Sequence, residues 1–171
     1  VLERHLRYGG KVIGICGGYQ MLGQVIDDPH AVEGMAGESD GFGLLDITTE
    51  LTQEKRLQQV QGVCAFGEGQ NSRVEGYEIH MGLTYASSDT LPAFLIQTEA
   101  GVEEEGCRSP DDQILGTYLH GVFDHPQACR ALLQWAGLRS EAAVDLNKLR
   151  EQSIDRVADA CQGLLDKLQT L

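Results

Sequence analysis

Lys11-Val-Ile-Gly-Ile15, followed by Cys16-Gly-Gly-Tyr-Gln-Met-Leu22, is the stretch on which the reading of the fold turns. Its first five residues form a short apolar run with β-branched side chains after the Gly9-Gly10 break, which predicts a fully buried strand of the kind found at the centre of a parallel sheet. Beyond the glycines, Tyr19, Met21, Leu22, Val25 and Ile26 recur at helical spacing until Asp27-Asp28-Pro29 stops them. The expected unit is strand, sharp turn, helix. Upstream, Leu2, Leu6 and Tyr8 read as the end of a helix, and a chain that opens at Val1 without Met inside that helix is expected to be a fragment of a longer polypeptide.

Downstream, residues 27–43 carry Gly34, Gly37, Gly41 and Gly43 among acidic residues, a loop composition. Leu45, Ile47, Thr49 and Leu51 then alternate with polar neighbours, as do Val60 to Phe66 and Val74 to His80, so the middle of the chain predicts antiparallel strands, with Gly67 to Asn71 as a turn. Ala93 to Thr98 reads as a further strand, Gly101 to Gly106 as its exposed acidic turn, and Ile114 to Leu119 as a strand ending at His120-Gly121. Asp124 is placed as the N-cap of a helix that begins at Pro126 and buries Cys129, Leu132, Leu133 and Trp135. Ile154, Val157, Cys161, Leu164, Leu168 and Leu171 recur at three- and four-residue steps, so an amphipathic helix over about residues 141–171 closes the chain.

A length of 171 residues suits one α/β domain able to bury its own core. Hydrophobic residues at 42% and charged residues at 23% are globular values, which excludes wholesale disorder. Thirteen Lys and Arg against 26 Asp and Glu leave a net charge of −13, so a surface that works by neutralising nucleic-acid phosphates is not expected. No apolar run approaches the roughly 20 residues of a membrane span. The N-terminus also lacks the pattern of a signal peptide, so the expectation is a cytoplasmic protein without a membrane partner. Five cysteines, Cys16, Cys64, Cys107, Cys129 and Cys161, form an odd set without a CxxC pair and fit neither a disulfide framework nor a zinc ribbon. No metal site is expected, since His120, His125 and the scattered thiols have no common ligand spacing.

Gly14-Ile-Cys16-Gly-Gly18 has the spacing of a nucleophile elbow with Cys in place of Ser. Glycines flank such a nucleophile because the turn is strained, and a Cβ two residues away on either side is expected to clash. At the start of the following helix, the dipole and the free N–H groups favour a thiolate, and the Gly17 N–H can donate to an oxyanion formed at an attacked carbonyl. The same glycine-rich turn also suits a buried structural cysteine, and the pattern leaves both readings open. A thiolate that cleaves an amide needs a group to protonate the departing amine, a task for which histidine is suited near neutrality. His5, His30 and His125 lie in leader, loop and helix-start segments and read as solvated surface. His120 closes a strand beside a glycine, where a side chain at the carboxyl edge of an α/β sheet would meet the cysteine turn, and His80 ends its own strand similarly and ranks second.

Gly14-Ile-Cys-Gly-Gly-Tyr-Gln-Met-Leu-Gly23, Glu75-Gly-Tyr-Glu-Ile-His-Met-Gly82 and Gly116-Thr-Tyr-Leu-His-Gly-Val-Phe-Asp124 resemble, in order, the three signature blocks of the class I glutamine amidotransferases of the cobyric acid synthase type. The similarity extends through Asp28-Pro29, Gly41 to Leu45 and the Ile154 to Asp159 helix, so it spans nearly the whole chain. It implies a flavodoxin-like glutaminase fold, a mixed sheet with flanking helices, whose N-terminal part lies outside this chain. It further implies that Cys16 attacks the side-chain amide of glutamine and that His120 protonates the departing ammonia, leaving a glutamyl thioester to be hydrolysed. Gln20 is carried over as a residue of the glutamine site, together with Tyr77, Glu78 and His80 of the second block.

The resemblance places ATP and magnesium on a synthetase domain of the same parent chain, which would use the ammonia to amidate corrinoid carboxylates in cobalamin biosynthesis, with no cofactor in the present domain. Gly9-Gly10-Lys11 is no P-loop, because it lacks the earlier glycine, the following Ser or Thr and the helix. Many class I glutaminases have a Glu two residues after the histidine; here that position is Val122, and Asp124 and Glu78 are the groups available to orient His120. A second oxyanion donor is expected upstream of Val1. Related readings are the glutaminase of a cobyrinic acid a,c-diamide synthase or of a murein-amidating complex, and a non-catalytic docking module in which Cys16 is inert. The block from Glu75 to Gly82 favours the first reading over its enzymatic relatives.

Overall fold

The structure is a computed structural model that describes residues 1–139 and 146–169, with the side chains of the last helix described from 148 to 162. In chain order the elements are α1 (Leu2–Arg7), β1 (Val12–Ile15), α2 (Gly17–Leu22), β2 (Val25–Asp28), β3 (Gly37–Asp40), β4 (Ile47–Glu50), β5 (Arg56–Cys64) and β6 (Arg73–His80), followed by β7 (Leu83–Ala86), β8 (Leu91–Thr98), β9 (Gly101–Arg108), β10 (Ile114–Thr117), β11 (Leu119–His120), α3 (Pro126–Trp135) and α4 (Leu146–Gln169). The α/β architecture expected from the sequence is present, divided over two mixed sheets. The larger runs β1-β10-β9-β8-β5-β6-β11 and the smaller β3-β2-β4-β7. Parallel pairing occurs at β1 with β10 and at β2 with β4, and every other described pair is antiparallel.

Two apolar clusters hold these layers. Val60, Phe66, Val74, Phe94, Leu119 and Leu132 form one between the large sheet and α3, where Phe66 meets Phe94 and Trp135 edge-on. Tyr19, Leu22, Leu45, Ile47, Cys107 and Ile114 form the other and tie α2 to both sheets. None of the described helices is long and apolar enough to cross a membrane.

Several local expectations give way to tertiary contacts. Among the described residues β1 is an edge strand, bonded to β10 alone, and of its residues only Gly14 is buried. The helix after Cys16 ends at Leu22 instead of continuing to Ile26, because Gly23 turns extended and its N–H bonds Gln20 O while Gln24 N bonds Ile47 O at 2.8 Å. Val25 and Ile26 then pair with Thr48 and Thr49 as strand β2, the state β-branched side chains prefer. The supposed loop over 27–43 contains β3, antiparallel to β2. Gly101 to Gly106 is not an exposed turn but most of strand β9; the hairpin turn is confined to the residues between Thr98 and Gly101.

Ile114 to Leu119 is not one strand either: it breaks at Tyr118 and changes neighbours, from β1 and β9 to β6. The cap of α3 is His125, whose Nδ1 accepts from Gln127 N at 3.3 Å, whereas the Asp124 carboxylate lies 3.4 Å from Arg150. α4 occupies most of the expected C-terminal helix, and Ile154 and Val157 on it are exposed; residues 141–145, Leu171 and the side chains of Leu164 and Leu168 lie outside the described residues.

Candidate active site

Cys16 sits at the junction of β1 and α2 with φ +54° and ψ −118°, a left-handed conformation that a non-glycine residue adopts only when its surroundings impose it. Three backbone bonds impose it here. Cys16 N donates to Thr117 O at 2.9 Å, and Cys16 O accepts from Tyr19 N at 2.9 Å and Gln20 N at 3.2 Å. On the strand side the expected glycine requirement is met, since a Cβ at Gly14 would lie 2.7 Å from Gly18 O. On the helix side it is not, because a Cβ at Gly17 or Gly18 would meet nothing within 4 Å. The open space there leaves the Gly17 N–H approachable.

The Cys16 thiol donates to the Ile79 carbonyl at 3.4 Å, which places it against the end of β6. His120 reaches the same end from β11, paired with Tyr77 two residues before Ile79. The close approach of β11 depends on Gly76, where a Cβ would come within 2.2 Å of His120 O. Paired residues share a sheet face, so His120 lies on the face of Tyr77, which is half exposed, while Glu78 turns inward with Leu119. His120 Nε2 is buried and has no hydrogen-bond partner among the described residues.

The remaining candidates lie behind this face. Glu78 is buried, and its Oε2 accepts from Arg56 Nε and Gln58 Nε2, both at 2.9 Å. The imidazole that Glu78 approaches is that of His80, 3.9 Å from Oε1, so its charge is already balanced by Arg56 and it faces away from His120. His80 Nδ1 bonds the Gly82 carbonyl at 2.9 Å, which puts the ring proton on Nδ1. Burial holds the His80 pKa below the ordinary imidazole value, with Gly82 and Glu78 opposing that shift and the neighbouring Arg56 and His120 adding to it. Gln20 is buried, and its Nε2 donates to the Tyr118 hydroxyl at 3.2 Å instead of projecting from the open face. Glu78, His80 and Tyr118 also line a cavity of about 280 Å³ whose wall includes neither Cys16 nor His120.

Burial separates Cys16 from Cys64, Cys107 and Cys129. Desolvation pushes the Cys64 thiol up to about 12 and raises those of Cys107 and Cys129 as well, which makes them inert. Cys16 is only partly buried. Two residues of the site escaped sequence reasoning. Tyr118 joins Gln20, Thr84 and His80 through its hydroxyl and its ring. Glu105, assigned from sequence to an exposed acidic turn, is buried, and burial pushes its carboxyl up to about 7. The signal that marks Glu105 is period-two alternation with the apolar Cys107, masked by the neighbouring Glu103 and Glu104.

A partly exposed thiol on a strained strand-to-helix turn and a strand-end histidine thus both lie toward the end of β6 in an α/β fold. A solved structure described as a glutamine amidotransferase superimposes on the chain with a TM-score of 0.51 at 13% identity, covering 80% of this chain and 67% of that one, a likeness of fold. Residues 1–128 match the CobB/CobQ-like glutamine amidotransferase domain, and the chain belongs to that family. Its relatives include the cobyric acid synthase of Marinomonas sp. (strain MWYL1), 49% identical over 168 residues, which are 94% of this chain and 33% of the relative. The cobyric acid synthase of Shewanella oneidensis is also 49% identical, over 176 residues, covering 96% of this chain and 34% of the relative. The chain therefore spans about a third of the length of these relatives.

Proposed function

We propose that this domain releases ammonia from glutamine through a thioester on Cys16. The observation that carries the proposal is the segment Thr117 to His120, which holds the Cys16 backbone at one end and presents the unpartnered His120 Nε2 at the other. The Cys16 thiolate adds to the side-chain carbonyl carbon of glutamine, and the Gly17 N–H donates to the resulting oxyanion. Protonated His120 then gives its proton to the nitrogen as the C–N bond breaks, releasing ammonia and leaving the acyl thioester. Neutral His120 next takes a proton from water, the hydroxide adds to the thioester, and collapse returns the thiolate and glutamate. A buried nitrogen without a partner is costly in a finished fold, and a leaving group at that place would satisfy it.

In this reading Tyr77 borders glutamine on the open face, while Gln20, Glu78 and His80 shape the site from behind. The names of the relatives support a further step, in which ATP and magnesium bound by a synthetase portion of a longer chain drive transfer of the ammonia to corrinoid carboxylates in cobalamin biosynthesis. Substituting Cys16→Ser tests the division of labour. Glutamate release is expected to vanish while amidation with added ammonium continues; equal loss of both would overturn it. Failure of diazo-oxo-norleucine to label Cys16 would favour a docking module instead.

A further inference from the structure

We propose that Glu105 is a positioning residue for the Cys16–His120 site, holding the corner at Tyr118 from which both reacting groups are placed. The proposal rests on the glutaminase reading above and extends it to a residue on a strand outside the three signature blocks. At Tyr118 the chain leaves β10 and crosses to β6, so its backbone N–H has no strand partner. Glu105 supplies one: Oε1 accepts from Tyr118 N at 2.7 Å and Oε2 from the Thr117 hydroxyl at 2.6 Å. The same hydroxyl accepts from Leu119 N at 3.0 Å, so three consecutive residues are fastened to one carboxylate, two of them directly.

What the corner fixes is the site. The Thr117 carbonyl receives Cys16 N, the Tyr118 ring carries His80, the Tyr118 hydroxyl receives Gln20, and His120 follows two residues on. Glu105 touches none of the reacting atoms. Both its oxygens serve as acceptors, a role that the ionised carboxylate fills at each oxygen, whereas protonation or an amide turns one of the two positions into a donor. The charged form is unfavourable here, since the carboxyl is buried, with Glu78 nearby; the hydrogen bonds from Thr117 and Tyr118 and the charge of Arg56 oppose this only in part. A buried charge that works against stability, yet completes a corner between two reacting groups, is the mark of a residue kept for geometry.

Glu105→Gln separates the two roles, with Cys16→Ser measured beside it. At pH 8 the Gln variant is expected to melt at the same or a higher temperature than the unsubstituted protein. Its turnover in glutamate release should fall roughly tenfold, since small misplacements of reacting groups cost up to about 100-fold, while KM stays within about twofold. Thr117→Val, which removes one of the two donors, should show the same turnover loss, and the double variant should be no worse than either single one. Unchanged turnover in Glu105→Gln, or a loss confined to KM, would overturn the proposal. Glutamate release surviving Cys16→Ser would instead overturn the glutaminase reading on which it rests.

Discussion

His80 lies flat against Tyr118, with ring centroids 3.8 Å apart and planes inclined by 16°. With its Nδ1 proton on the Gly82 carbonyl and its own unpartnered Nε2 3.9 Å from Glu78, this imidazole is packed into the wall of the site, whereas His120 carries its unpartnered Nε2 at the end of β11, on the Tyr77 face. His120→Ala is therefore expected to reduce glutamate release about as far as Cys16→Ser, because residues acting as one unit are not additive. His80→Ala should reduce it by less than about tenfold and lower stability by about 1–3 kcal/mol through the lost packing. Turnover and denaturant midpoints of both variants check this; a larger activity loss in His80→Ala would reverse the assignment.

The left-handed backbone of Cys16 is stored strain. Cys16→Gly removes the Cβ penalty, so it should raise the unfolding free energy by about 1 kcal/mol while abolishing glutamate release. Urea denaturation measures the gain. A destabilised Gly variant would mean that the thiol contact with Ile79 outweighs the strain.

Gly76 lets β11 lie against β6, and a methyl group there would overlap His120 O. Gly76→Ala is expected to cost about 1–3 kcal/mol of stability, as overpacking generally does. It should also cut turnover at temperatures where the protein is still folded, because the displaced backbone carries His120. Wild-type turnover in a folded Ala variant would contradict this.

The pH dependence of stability should carry the signature of Glu105. Its folded pKa of about 7 lies above the ordinary carboxyl value of 4.5, so the native state holds more protons between these values and loses stability as pH rises through that window. Relative to Glu105→Gln, the unsubstituted protein should lose about 3 kcal/mol between pH 4.5 and pH 8. His80 acts in the opposite sense. Its folded pKa is lowered, so it contributes stability that is lost as pH falls below about 6.5. Unfolding free energies at pH 5 and pH 8 for the two proteins give the difference directly, and a difference that does not change with pH would contradict it.

The strand-turn-helix around Cys16 and the strands β5, β6 and β8 were legible in the sequence, because alternation and glycine spacing are local and need no partner to be recognised. The candidate pair Cys16 and His120 followed from those elements, since a turn and a strand end can each be placed from its own neighbours. Where α2 stops was decided by Gly23 meeting Ile47, and where β10 breaks by a carboxylate thirteen residues earlier in the chain. Neither contact leaves a periodic trace in the residues it acts on. β1 reads as a central strand because of its apolar run, yet it lies at an edge, for composition records how much surface a strand can bury and not how many neighbours it will have. Glu105, hidden among charges that point outward, became part of the site only when β9 and β10 paired and left a backbone N–H at Tyr118 that had to be satisfied.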